Sequence, residues 1–340
     1  MSEPAPAKAG GAFYEACPEF AEGPSNLVCF STFYEFIMTA PLPDELITLI
    51  QQESSKGAPA GLNLLVETIL ARYGETVQAI LFYGSCMRAG QETEGILDLY
   101  VLVDTYLSAY GNAGLALLNW LLPPNVFYIE APYGEGVMRA KYAVLTLADF
   151  QRGTSTAWFQ SYLWARFAQP VRLLYARSEQ TAQQIHAALA RAVVTFFSCV
   201  LPQISSRFSA RELWCKGLFL SYRSELRAEK QDQPILLVDG AQRYYDRITQ
   251  SALAAVPFDV EAIHWVDPVS YRSNISGGRR FLNRLAWQAR RVEGKCLSAL
   301  RLVKALFTFK RGLDYILWKI ERHSGVGIPD DSVLRRHPLI

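Results

Sequence analysis

Histidine is scarce in this 340-residue chain. The four that occur, His186, His264, His323 and His337, lie at no spacing that would put two of them on one metal ion. A histidine-built zinc centre is therefore not expected. The six cysteines (Cys17, Cys29, Cys86, Cys199, Cys215, Cys296) are as scattered, which excludes a zinc ribbon and a paired redox motif and fits a reducing, cytoplasmic setting. An excess of one charge is also missing. Lys and Arg number 34 against 32 Asp and Glu, so the chain lacks the positive surplus of a nucleic-acid binder, and no nucleic-acid partner is expected. Apolar runs such as Ala113 to Leu122 and Ala192 to Leu201 are shorter than the roughly 20 residues a membrane-crossing helix needs. Met1 to Gly11 has neither the apolar core of a signal peptide nor the arginines of a transit peptide, and residues 1–24 read as a flexible tail.

What is present is material for a large core. Half of the residues are hydrophobic, enough for two packed units. Apolar residues at three- and four-residue spacing predict helices over Phe33 to Ile50 and Leu62 to Tyr73. Val77 to Phe82, Ile96 to Val103, Val126 to Ile129 and Lys141 to Leu147 read as strands, with a helix over Ala113 to Leu122 stopped by Pro123 and Pro124. From Ala157 the periods lengthen: Ala157 to Ala168, Glu179 to Leu201, Ala210 to Glu229 and Cys296 to His323 are predicted helices, with Pro234 to Gly240 a strand or turn. The expected organisation is a mixed-sheet α/β (α+β) domain over 25–175, a mainly helical domain over 176–295, and a basic amphipathic helix and tail over 296–340.

One stretch carries chemistry. Tyr83-Gly84-Ser85 ends a predicted strand, a polar loop from Met87 to Gly95 follows, and the next strand reads Leu97-Asp98-Leu99-Tyr100-Val101-Leu102-Val103-Asp104. A Gly-Ser turn lets backbone and hydroxyl donors approach triphosphate oxygens, since glycine has no side chain in the way. Asp98, delivered to the same place, can hold Mg²⁺ through oxygen. Asp104 shares its strand face but stands six residues on, roughly 20 Å at strand rise, too far to share one metal. Glu130, at the end of a predicted strand, is a further candidate acid.

This arrangement resembles the polymerase-β-like nucleotidyltransferases, in which Gly-Ser, a loop and an acidic strand follow in that order. Where that superfamily places a second acid two positions along, this chain has Tyr100. From Tyr83 to about Trp318 the sequence more closely resembles the mitochondrial-type phosphatidate cytidylyltransferases, the translocator-maintenance family. The pieces come in family order: Leu97-Asp98 through Asp104; Arg139 to Val144; Tyr162 through Arg166 to Pro170-Val171; Leu201-Pro202; Glu212-Leu213; Ser221 to Arg227; and Lys304 to Thr308. Ala143 and Ala165 replace family glycines, Gln169 replaces a lysine, and the Trp-His pair after the acidic strand is absent.

The resemblance implies a Mg²⁺-dependent transfer of a cytidylyl group from CTP to phosphatidate, giving CDP-diacylglycerol for phospholipid synthesis. It implies nucleotide binding at Tyr83, Gly84 and Ser85, catalysis by Asp98 and Lys141, and metal binding by Asp98 with Glu225. Ser221, Tyr222, Arg223 and Arg227 are then the candidates for the lipid phosphate; Arg223 and Arg227, four apart on a predicted helix, share one face. Read without the resemblance, Lys141 is as readily an edge-strand lysine, and Arg223 and Arg227 a solvated face paired with Glu225 and Glu229.

From Arg279 to Arg322 basic residues far outnumber Glu293, Asp314 and Glu321, and Leu, Val and Phe residues run among them. Such a helix can lie in an anionic lipid interface, and attachment to the inner face of a membrane is the expectation. Docking of its apolar face on the protein core is the alternative. Two other functions stay open: transfer to a different acceptor, such as a sugar phosphate, a protein or an RNA end, and a degenerate domain that binds nucleotide without turnover.

Overall fold

A computed structural model describes residues 41–59, 61–84, 96–134, 136–226, 232–263 and 269–308. The Gly84 turn leads into 85–95, so Ser85 lies outside the described residues, as do Arg227 and everything from 309 to the C-terminus.

Helix α1 (Asp44–Ser54) starts directly after Pro43, whose fixed φ suits a helix entry, and carries Asp44 and Glu45 in its first turn where the dipole favours them. The part of the expected Phe33 to Ile50 helix before residue 41 is outside the described residues. Helix α2 (Leu62–Tyr73) has the expected bounds and leads through a short 3-10 turn into strand β1 (Val77–Tyr83). Strand β2 (Ile96–Val103), helices α3 (Tyr106–Tyr110) and α4 (Ala113–Leu121), and strands β3 (Asn125–Tyr133) and β4 (Gly136–Thr146) follow. Thr105 and Asn112 cap α3 and α4 with their side chains.

Helices α5 (Leu147–Gly153) and α6 (Ser161–Phe167) precede strand β5 (Arg172–Ala176). The helix expected from Ala157 begins only at Ser161. Ahead of it, Thr154 and Ser155 bond their hydroxyls to the carbonyls of Phe150, Gln151 and Arg152, which favours turns over helix.

The five strands form one mixed sheet in the order β3-β4-β2-β1-β5, with β2 and β4 parallel and the other neighbours antiparallel. The chain is therefore mixed α/β, as composition and pattern suggested. Side chains alternate between the two faces along each strand. Ile80, Phe82, Leu97, Leu99, Val101, Tyr142 and Val144 pack on one face against α2 residues Leu65 and Ile69. Ala79, Leu81, Tyr100, Leu102, Ala143 and Leu145 pack on the other, in a core shared with the helices that follow.

At the centre of that second core is α7 (Glu179–Val200), capped by Ser178. It is long and apolar enough to span a membrane, but 89% of its apolar window is buried inside the protein, so it is the fold's central helix. Strand β6 (Arg207–Ser209), helix α8 (Ala210–Arg223, with a Ser209–Glu212 capping box), α9 (Gln233–Asp239) and α10 (Gln242–Ala252) pack around it. The segment expected as a strand or turn over Pro234 to Gly240 is thus the short helix α9. Proline in its first turn removes an N–H that has no intrahelical partner there. Strands β7 (Val260–Ile263) and β8 (Ser270–Ser273) complete a three-stranded antiparallel sheet in the order β6-β8-β7.

Helix α11 (Gly277–Thr308) starts well ahead of the expected Cys296. It docks through buried Trp287 and Arg290, and its Gly294 crosses so close to α8 that an added Cβ would stand 2.1 Å from the Ser224 carbonyl oxygen. The boundary expected near Tyr175 falls inside β5, and one core cluster runs from Leu46 through Tyr100 to Trp287 across it.

Candidate active site

Pairing register brings the sequence candidates together on one rung of the sheet. Tyr83 of β1 stands opposite Asp98 of β2, Asp98 opposite Lys141 of β4, and Lys141 opposite Tyr128 of β3. The next rung inward on the same face is Leu81, Tyr100, Ala143 and Val126, so the charged rung rims the large core.

Lys141 Nζ lies 2.9 Å from Asp98 Oδ1, with the two side chains 40% and 16% exposed. That oxygen is buried and accepts no directed hydrogen bond, so the contact is an ion pair at the edge of solvent. Gly84 turns away from β1 with φ +96°, where other residues are strained. A Cβ built on it would stand 2.6 Å from Asp98 Oδ2. A side chain at 84 would therefore force the Asp98 carboxylate or the turn to move.

Beneath the rung lies a cluster that joins the expected Tyr83 and Glu225 to three residues not expected in the site, Arg166, Tyr162 and Tyr100. Arg166 of α6 places Nη1 3.0 Å from the Tyr83 hydroxyl, 3.4 Å from that of Tyr162 and 3.5 Å from that of Tyr100. Tyr100 in turn donates to Tyr162 at 3.0 Å. Nη2 of Arg166 lies 3.5 Å from Glu225 Oε2, with both side chains almost buried. Its Nε is buried without a hydrogen-bond partner.

Burial alone would lower the Arg166 pKa, but Tyr162, Tyr83, Tyr100 and Glu225 around it outweigh that and hold it protonated. The Tyr83 and Tyr100 hydroxyls are pushed up by burial and stay neutral. The available signal was the spacing of Tyr162 and Arg166, four apart and hence on one helix face.

The remaining candidates are spread more widely. Glu225 is linked toward the rung through Arg166, which also bonds Tyr83. Ser221 is buried on α8, and Tyr222 is half-buried and packs against the core. Arg223 is exposed, its guanidinium 5.2 Å from the Phe219 ring centre. Glu130 is taken up by neighbours on β3 and β4, accepting from Tyr128 at 2.6 Å and from Arg139 at 3.2 Å. Asp104, exposed past the end of β2, accepts from the Thr105 N–H. His186, buried, shares a 2.9 Å hydrogen bond with Ser54 far from this rung in sequence and is a packing group.

Comparison with protein-family models and with curated proteins gives no match. The chemistry of the site therefore stands on its geometry.

Among the described residues no three His, Cys, Asp or Glu side chains converge as an all-protein metal cage. Asp98 nevertheless suits Mg²⁺, a hard ion often held by one carboxylate with substrate phosphates and water. Its Oδ1 already faces the Lys141 ammonium at 2.9 Å, so an ion held by Asp98 would share the carboxylate with that ammonium or displace it. A glycine turn, a carboxylate and an ammonium within one rung can receive a polyphosphate: the turn admits its oxygens, and Lys141 opposes their charge.

Proposed function

We propose that this chain is a nucleotidyltransferase that binds CTP at the Gly84 turn and transfers its cytidylyl group to phosphatidate, releasing pyrophosphate. The polymerase-β-like assignment of the sheet domain is part of the same proposal. The observation that supports it is the contact of Gly84 and Lys141 with one carboxylate, that of Asp98.

In the reaction a phosphate oxygen of phosphatidate forms a bond to the α-phosphorus of CTP as the bond to the bridging α–β oxygen breaks, and pyrophosphate carries away the electron pair. The acceptor is already an anion, so no side chain must remove its proton. That suits a site without histidine. Lys141 opposes charge on the triphosphate, and the Arg166 cluster fixes Tyr83 and with it the start of the turn. Asp98 would hold Mg²⁺, which when bound supplies positive charge against the triphosphate and the departing pyrophosphate. Exposed Arg223, with Arg227 beyond the described residues, is the candidate contact for the acceptor phosphate; Ser221 and Tyr222 face the core.

One observation favours a second reading, a domain that binds nucleotide without turnover. Tyr100, where a second acid would stand, is fully buried and bonded to Tyr162, so the rung offers one carboxylate. A pyrophosphate-release assay with each of the four nucleoside triphosphates, with and without phosphatidate vesicles, separates the two. Release that needs both CTP and phosphatidate, and that is lost in Asp98→Ala, is expected. Nucleotide binding with no Mg²⁺-dependent release would leave the second reading.

A further inference from the structure

Helix α11 has two faces, and among the described residues only one of them docks on the rest of the protein. Trp287, Arg290, Gly294 and Lys304 are buried, and Arg301 is partly so. These positions fall on one side of the helix at about 100° per residue. On the opposite side Phe281, Leu285, Val292, Cys296, Ala299 and Val303 fall within an arc of about 60° by the same count, and every one of them is exposed. Phe281, Val292 and Val303 are 59%, 66% and 54% exposed. The stripe runs for about 33 Å at 1.5 Å per residue, a length that scattered surface apolar residues do not produce.

Charge says what fits it. By the same wheel Arg284, Arg291 and Lys295 flank the stripe on one side, and Glu293 is the acid on the other. Against a second copy in antiparallel register the basic flanks would meet each other, which like charge opposes. Against anionic headgroups they are complementary. Arg301 donates to the Pro123 carbonyl at 2.9 Å and Lys304 to that of Pro124 at 2.8 Å, which holds the opposite face of α11 on the end of α4 and leaves the stripe pointing away from it.

We infer that the outward stripe of α11, from Phe281 to Val303, lies in the plane of an anionic bilayer surface while the opposite face stays docked on the core. The inference deepens the lipid-acceptor reading above and rests on it for its biological sense. It also shifts the membrane contact to residues that begin well before Cys296.

Flotation of the full chain with phosphatidylcholine vesicles, with and without phosphatidylglycerol, tests it in the absence of nucleotide. Wild type is expected to float with the anionic vesicles and much less with the neutral ones. Leu285→Glu with Val292→Glu, both on the exposed stripe, should reduce flotation at least tenfold while far-UV circular dichroism and nucleotide binding stay as in wild type. Wild-type protein that remains at the bottom of the gradient overturns the inference, as do variants that float normally. A dimer in sedimentation that the double variant dissociates assigns the stripe to a second copy and overturns it too. Flotation without pyrophosphate release would sink the transferase reading alone, and release without flotation would sink this one alone.

Discussion

Asp98 and Lys141 face each other across the parallel strands β2 and β4, with Oδ1 and Nζ 2.9 Å apart and Gly84 closing over Oδ2. At a half-buried rim each charge is cheaper to hold with the other than alone. The pairing therefore explains how Oδ1 can stand at the edge of an apolar core without a directed hydrogen bond, and it keeps an ammonium where triphosphate charge would arrive.

Asp98→Ala should abolish turnover and spare the fold. Lys141 is 40% exposed and can turn to water, so stability should fall by no more than about 1 kcal/mol. Pyrophosphate release should fall by on the order of 10²–10³ or more, the scale for removing a key electrostatic group. Paired urea melts and release assays measure both. Activity near wild type would sink the assignment of Asp98.

Gly84→Ala tests the turn separately. The added methyl meets both a positive φ and the Asp98 carboxylate 2.6 Å away, so backbone strain of about 1–3 kcal/mol is expected. Because the turn must shift to relieve it, nucleotide affinity should drop with stability. Calorimetric titration with CTP that gives wild-type affinity would show that the turn does not cradle the nucleotide.

How far the sequence carried these conclusions depends on the kind of signal. Strands β1 and β2 were legible because β-branched and aromatic residues run between a helix and a glycine. Their antiparallel register, which puts Asp98 opposite Tyr83, follows from packing that no local pattern encodes. Helix α6 starts later than its apolar period implies because Thr154 and Ser155 compete for backbone groups, and α9 is a helix despite Pro234 because that proline sits in its first turn. Arg166 escaped notice as a site residue because a lone arginine in an apolar helix shows its partners only when Tyr83, Tyr100 and Glu225 arrive from three other segments.

Arg166 should matter more for stability than any single residue of the rung. Arg166→Leu takes the cation away from Glu225, which is 11% exposed, and the Nη1 donor away from Tyr83. Breaking such a buried pair costs on the order of 3–5 kcal/mol. Arg166→Lys keeps the charge and loses the fork, so it should recover only part of that. Urea midpoints at fixed pH report the order wild type, lysine, leucine. Equal midpoints for all three would mean that the cluster does not hold the site together.

Lys304 gives the pH dependence a definite sign. Burial, with Arg301 nearby, lowers its pKa from an ordinary 10.5 to about 7. Between those two values the unfolded chain binds a proton that the folded chain has released, so stability rises with pH across that window through this group. Below about pH 7 the folded protein bears the full cost of a desolvated ammonium, offset by the carbonyls of Leu122 and Pro124 that receive it. Lys304→Met removes the proton linkage, and also the donor to those two carbonyls, so it should be less stable than wild type at pH 9. The gap should narrow toward pH 7, where the wild type loses the most. Chemical melts of both proteins at pH 7 and pH 9 measure the gap; one that widens toward pH 7 would show that the amine is protonated throughout and that its burial is better compensated than its surroundings indicate.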